Sequence, residues 1–204
     1  MPRIRRVQTI YKICKSASFF RWVLFSLRPL RPDELGTAVQ TSIMAVEHED
    51  APAEADEEHG AKSAEVVERR LIHLSRGLVE LTTTFSEPVV QLIHETVRDF
   101  LLGKSRATRT RADQRSTMQH DFMTYLDANA CYCAIAKTCL SRLIAVASRS
   151  TPSREQDILA GYAAEYQRQH VGAVGADVDE EVLRLATELC LTPSFIYLGT
   201  ELQS

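Results

Sequence analysis

The stretch VVQLIHETVRDFLLG, residues 89–103, places a histidine where one hydrophobic rhythm gives way to another. The run before His94 has the composition of a short buried strand, whereas Val97 and Phe100 follow it at helical spacing. His94 and the adjacent acid Glu95 therefore stand at a predicted strand-to-helix junction. An imidazole there can serve a binding site, or it can cap the helix or pack at the junction. The residues alone favour capping or packing at the junction over a binding site.

Three cysteines in one short stretch suggest a metal site. Cys131, Cys133 and Cys139 lie near His120, and cysteine with histidine is a common ligand set for zinc. Their spacing matches no common zinc module, and all three fall in an alanine-rich helical run, so we predict small buried side chains and no metal. The chain has five cysteines, an odd number, and no secretory signal, which favours a reducing compartment and a cytoplasmic location.

The familiar catalytic motifs are missing from the sequence. It contains no phosphate-binding G-x-x-x-x-G-K-[ST] loop, no G-x-G-x-x-G after a strand, and neither G-x-S-x-G nor H-E-x-x-H. The carboxylates of residues 47–58 lie in a stretch that we predict to be a disordered loop, whereas catalysis requires fixed geometry. We therefore predict a protein that is not an enzyme and holds no cofactor.

The predicted secondary-structure elements around His94 follow in the order helix, helix, helix, strand, strand, helix. Residues 8–27 form one amphipathic pattern, a second helix opens at Pro32, and a third spans about 63–77. LVELTTTF and VVQLI are separated by SEP, which indicates a β-hairpin, although Pro88 blunts the start of the second strand. This order is typical of a winged-helix domain, an elaborated helix-turn-helix, over residues 8–103.

Beyond this domain the sequence indicates a linker and a helical tail. Residues 104–123 are basic and polar, and the tail at 124–204 contains three helical patterns, at roughly 124–148, 154–170 and 178–190. Within the first domain, residues 47–60 are acidic and cannot bury apolar surface, so we predict a disordered loop there. The predicted fold class is mainly α with a small β-hairpin.

The charge distribution argues against nucleic-acid binding by the whole chain. The net charge is −3, and residues 1–32 carry eight basic groups and no acid, whereas residues 33–100 carry five basic and fifteen acidic groups. The third helix would enter a DNA groove. Its basic side chains are Arg69, Arg70, His73 and Arg76. Glu65 and Glu68 share that helix, so nucleic acid is the less favoured partner, since DNA-reading surfaces gather positive charge.

We predict no membrane-spanning segment. The apolar run considered for that role, SFFRWVLFSL, is about ten residues long and is interrupted by Arg21, whereas a spanning helix needs about 20 residues. The run lies instead in the predicted first helix. It is the densest aromatic stretch of the chain, so we predict that Trp22 and Phe25 anchor the core between that helix and the hairpin.

Three stretches of the first domain form a specific set when taken in order: FFRWVLFSLRPLRPDEL, RLIHLSRGLVEL and VVQLIHETVRDFLL. They resemble the winged-helix segment of fungal NACHT-type STAND NTPases, which is also catalogued as the GPI inositol-deacylase winged-helix domain. AIAKTCLSRL and ILAGYAAEYQRQHV resemble the helical segment that follows it in that family. The resemblance covers roughly 8–103 and 130–171. Because these NOD-like receptors carry a P-loop NTPase domain ahead and ankyrin or other repeats behind, it implies that this chain is a fragment.

The chain departs from the family's pattern at a few positions. The family often has Cys-Gly-Gly where Ser75, Arg76 and Gly77 stand here. It usually has Tyr-Trp where this chain has Tyr166 and Gln167. These departures concern fine packing and leave the expected fold unchanged.

The resemblance also implies a role for His94. In STAND proteins the winged helix carries a Met-His-Asp-like motif at the strand-to-helix junction, and its histidine reaches the β-phosphate of ADP in the NTPase domain and holds the closed state. Ile93, His94 and Glu95 occupy that place here. A helix N-terminus offers free backbone N–H groups, and an imidazole adds a donor. His94 is thus the candidate nucleotide-phosphate ligand, acting in trans on another polypeptide.

The predicted function is a non-catalytic regulatory and interaction module of a STAND-type signalling protein. Its expected partner is a NACHT-type NTPase domain or another protein. Two alternatives remain, which are a DNA-binding winged-helix protein and an inert remnant of a truncated gene.

Overall fold

The computed structural model describes residues 15–44, 73–84, 86–103, 126–148, 158–175 and 179–192. The chain divides into two compact units, Met1–Asp127 and Ala128–Ser204. The described elements are helices except for one antiparallel β-hairpin, which confirms the mainly α fold with a small β-hairpin. The predicted acidic loop at 47–60 and the predicted linker at 104–123 lie outside the described residues.

The first unit follows the predicted order of elements. These are α1 at residues 15–25, α2 at Pro32–Met44, a helical turn at 73–75, β1 at Val79–Thr84, β2 at Glu87–Leu92 and α3 at Glu95–Leu101. Pro32 opens α2 because the first turn of a helix does not use its missing N–H group. Asp33 and Glu34 follow in that turn, where the helix dipole favours negative charge.

Thr84 pairs with Glu87 at the turn end of the hairpin. Pro88 therefore lies inside β2, which begins earlier than the sequence predicted. The N–H group of Val90 donates to the carbonyl oxygen of Leu30 over 2.9 Å and so faces away from β1. Alternate residues of a strand share this orientation, so the nitrogen of Pro88 faces the same outer edge. Proline is accepted there because no ladder hydrogen bond is lost.

The core of the first unit is built on aromatic residues of α1. Trp22 is 0% exposed and Phe25 is also buried, which confirms the prediction that both are buried. The indole N–H of Trp22 donates to Ser42 Oγ over 3.1 Å, so this bond ties α1 to α2. A buried tryptophan with its polar atom satisfied keeps its full apolar contribution.

An ion pair closes the connection between α1 and α2. Glu34 is 3% exposed and accepts hydrogen bonds of 2.8 and 2.7 Å from Arg28, together with one from the backbone N–H of Arg31. Burial by itself raises the pKa of Glu34, but the hydrogen bonds from Arg28 and Arg31 outweigh it and hold that pKa below its ordinary value. The carboxylate therefore stays charged and holds the chain around Leu30.

The second unit contains three helices: α4 at Ala128–Ala147, α5 at Ala160–Ala173 and α6 at Glu180–Leu191. Helix α4 packs against both of the others. Asp179 caps α6 by accepting from the N–H of Glu181, and the same carboxylate binds Lys137 of α4 over 2.6 Å. Cap and ion pair together hold the start of α6 against α4.

Helix α4, with 20 residues, is a longer apolar run than SFFRWVLFSL in the first unit. By length and composition alone, it is the one helix among the described residues that could cross a bilayer. Its buried residues are Cys131, Ile135, Ala136, Thr138, Cys139, Leu140, Leu143 and Ala147. A helix in the core of a folded unit passes the same test, and α4 packs against α5 and α6.

Candidate functional site

His94 lies between β2 and α3, as the sequence predicted, and its side chain is exposed. It is the N-cap residue of α3, with extended backbone angles of φ −162° and ψ 150°. The backbone N–H of Thr96 donates to His94 Nδ1 over 3.1 Å, and Thr96 Oγ1 lies 2.9 Å from the same nitrogen. The capping role that the residues favoured is therefore observed.

The cap determines which ring nitrogen of His94 remains available for a further hydrogen bond. A nitrogen that accepts from a backbone N–H carries no proton, so the neutral imidazole holds its proton on Nε2. Nε2 has no hydrogen-bond partner among the residues that the structure describes. The imidazole is thus held through Nδ1, and the N–H group at Nε2 is its one remaining hydrogen-bond donor.

The same cap changes the expected anion chemistry of this junction. Free backbone N–H groups were expected at the start of the helix. The N–H group of Thr96 is instead bonded to the His94 ring, and that of Val97 donates to the His94 carbonyl oxygen. Helix α3 has seven residues, and Glu95 in its first turn lies 3.7 Å from Arg98. An anionic partner would therefore meet Nε2 of His94 and not a cradle of backbone donors.

The predicted small buried cysteines are confirmed at two positions. Cys131 and Cys139 are 0% exposed, whereas Cys133 is partly exposed. Burial raises the pKa of Cys139 to about 12, so its thiol stays protonated and unreactive. His120 lies outside the described residues, and within the part of the chain that is described no three His, Cys, Asp or Glu side chains form a group that could hold a metal.

The predicted DNA-reading helix is described only at its end. Arg69 and Arg70 lie outside the described residues, and His73 and Arg76 are exposed. The hairpin beside them carries the exposed residues Glu80 and Glu87 and has no lysine or arginine from Val79 to Leu92. A hairpin that approached phosphates would need the opposite charge. The described hairpin strands therefore carry negative charge where a DNA contact would require positive charge.

The second unit contains a buried polar cluster that was not predicted from the sequence. His170 is 0% exposed, and its Nε2 shares a hydrogen bond of 2.7 Å with the hydroxyl of Tyr162. The rings of Tyr132 and Tyr162 lie 6.2 and 5.8 Å from the His170 ring, and Nδ1 is buried without a hydrogen-bond partner. Burial lowers the pKa of His170 to about 4, so the ring is neutral near pH 7.

A signal for this cluster was present in the sequence. Tyr162, Tyr166 and His170 recur at intervals of four, which places them along one side of a helix. The pattern identifies a shared face, but it does not say whether that face is covered. Tyr132, from a different helix, provides part of the cover.

Comparison with known proteins places the chain in no family: no family model, curated protein or solved structure matches it. The resemblance to the winged-helix segment of NACHT-type proteins stays a prediction. The assignment of a function rests on the residues and the geometry described above.

Proposed function

We propose that this chain is a non-catalytic regulatory and interaction module of a STAND-type signalling NTPase, working in the cytoplasm. His94 would bind an anionic group of the partner, namely the nucleotide phosphate held by a NACHT-type NTPase domain. One observation carries the proposal. His94 is exposed at the strand-to-helix junction, and its Nδ1 is fixed by Thr96 so that Nε2 is left as a donor.

The cap makes this donor suitable for a latch. A side chain that is already ordered loses less conformational freedom on binding, so more of the interaction energy remains as affinity. A hydrogen bond to a charged acceptor contributes about 1.5–3 kcal/mol. One such bond is enough to bias a closed state and weak enough to be released, which suits a regulatory contact.

The architecture of the first unit supports the winged-helix part of the proposal. Helices α1 and α2 precede the hairpin and α3 follows it. The backbone bridge between Leu30 and Val90 adds a third, very short strand position beside β2, between α1 and α2. A hairpin extended by a short strand from between the first two helices is the layout of a winged helix.

The test joins this chain to an ADP-loaded NACHT-type NTPase domain and compares two substitutions of His94. His94→Ala removes both the cap and the donor, whereas His94→Asn keeps a good N-cap and removes the donor at Nε2. We expect both variants to release a fluorescent ADP analogue roughly tenfold faster than the unmodified chain, since one hydrogen bond to a charged group is lost. Stopped-flow fluorescence measures the release.

Thermal melting of the same variants separates the latch from the cap. His94→Asn should melt like the unmodified chain, and His94→Ala should lose about 1 kcal/mol of stability, because only alanine abolishes the cap. If His94→Asn retained ADP as well as the unmodified chain, His94 would be a structural cap only, and the proposed latch would be wrong.

A further inference from the structure

Helix α6 presents a solvent-facing surface that the proposed function does not use. A surface groove runs along it and is lined by Glu180, Leu183, Arg184, Thr187, Glu188, Leu191 and Thr192. We call these residues the α6 outer face. Leu183 is 54% exposed and Leu191, the last residue of the helix, is 76% exposed, and both line the same groove. This face carries apolar surface without burying it.

The two leucines form a stripe. Leu183, Thr187 and Leu191 are spaced by four residues, so their side chains follow one line along the helix. The opposite side of α6 is occupied, because Val182, Leu185 and Leu189 are buried in the unit. These three buried side chains pack α6 against the unit, and the exposed leucines of the stripe take no part in that packing.

The stripe is flanked by negative charge. Arg184 donates to Glu181 through Nε and Nη2 and to Glu188 through Nη1, at distances of 2.8–2.9 Å, so two carboxylates surround one guanidinium. Glu180 forms no ion pair among the described residues. Three carboxylates against one cation leave this side of α6 with an excess of negative charge.

We propose that the α6 outer face docks a cationic amphipathic helix of a partner protein. The partner's apolar side chains would cover Leu183 and Leu191, and its lysines or arginines would meet Glu180 and Glu188. Docking of an amphipathic helix on an apolar stripe uses anchors at helical spacing, and the charged flanks determine which sequences fit.

The charge disfavours two other occupants of the same stripe. A second copy of α6 would bring its own excess of carboxylates against the excess on this face, and like charges repel at an interface. An anionic lipid surface would be repelled in the same way. A positively charged helix would instead be attracted to the carboxylates that flank the stripe.

The binding test uses the full chain and two synthetic peptides of about 18 residues that differ only in charge. Both place leucines at i, i+3, i+4 and i+7, and one has lysine and the other glutamate at the remaining polar positions. Fluorescence anisotropy should show saturable binding of the lysine peptide, weakened by added salt, and no binding of the glutamate peptide. Equal binding of the two peptides would overturn the proposal.

Variants then locate the binding surface. Leu183→Ala combined with Leu191→Ala should weaken binding of the lysine peptide at least tenfold, whereas Ile158→Ala, an exposed apolar residue outside this face, should leave it unchanged. Glu180→Lys with Glu188→Lys should lose the lysine peptide and gain the glutamate peptide. Melting curves confirm that each variant is folded. Binding that survives both double substitutions would assign it to another surface and contradict the proposal.

Discussion

His94 in the first unit and His170 in the second unit lie in opposite environments. His94 is exposed and uses Nδ1 to cap α3, which leaves Nε2 for a partner. His170 is fully buried, uses Nε2 to bind Tyr162, and keeps an unsatisfied Nδ1 in the interior. The first imidazole is available for recognition, whereas the second can only be neutral and structural near pH 7.

Each histidine forms its hydrogen bond with a residue close to it in the sequence, but the burial of each histidine depends on residues farther away. His94 bonds a residue two positions away and His170 bonds one eight positions away on its own helix. Burial of His170 depends on Tyr132, which belongs to another helix. Local bonding therefore says little about the role of a histidine until the tertiary cover is known.

The largest expected effect tests how far the first unit depends on its aromatic anchor. Trp22→Ala should cost about 3–5 kcal/mol, because it leaves a large cavity at a fully buried position. Trp22→Phe is the control, since it keeps an aromatic ring and loses the hydrogen bond to Ser42. Urea denaturation followed by far-UV circular dichroism measures both variants. A near-neutral Trp22→Ala would show that the unit does not depend on this residue.

The second prediction uses acid to separate the two histidines. The pKa of His170 is about 4 in the folded chain against 6.5 when unfolded, so the unfolded chain takes up the proton first as the pH falls. The contribution of His170 to the stability of the second unit should be constant above about pH 7 and should fall by roughly 3 kcal/mol as the pH drops to about 4.

Substitutions assign this acid sensitivity to one residue. His170→Phe should remove that part of the slope of stability against pH, whereas His94→Asn should leave it in place. Urea denaturation between about pH 7 and pH 4, followed by circular dichroism, provides the slopes. Trp22 is the single tryptophan, so its fluorescence reports the first unit separately. Equal slopes for His170→Phe and the unmodified chain would contradict the comparison.

The smallest expected effect concerns the backbone before the hairpin. Arg76 has φ 55° and Gly77 has φ 79°, both in the left-handed region that side chains disfavour. Arg76→Gly should therefore stabilise the first unit by about 0.5–1 kcal/mol, and Gly77→Ala should destabilise it. Thermal melting compares the two. A loss of stability in Arg76→Gly would mean that the arginine side chain makes contacts that outweigh the backbone strain.

The sequence by itself determined the elements that depend on neighbours along the chain. Pro32 with two acids after it marked the start of α2, and two β-favouring runs separated by SEP marked the hairpin. The change from strand-like to helical spacing at His94 marked the start of α3. The aromatic cluster around Trp22 marked the core of the first unit. Helix caps, turns and helical faces depend on residues that are close together in the sequence, so they can be predicted from the sequence pattern.

Only the tertiary structure decided the features that require distant residues. Pro88 fits inside β2 because Leu30 lies along the outer edge of that strand. His170 is neutral because α4 contributes to its cover, and the α6 outer face is free because α6 already buries its other side. Each of these features depends on packing between elements that are distant in the sequence. Hydrophobic periodicity predicts the apolar face of a helix or strand, but it does not predict which element packs on that face.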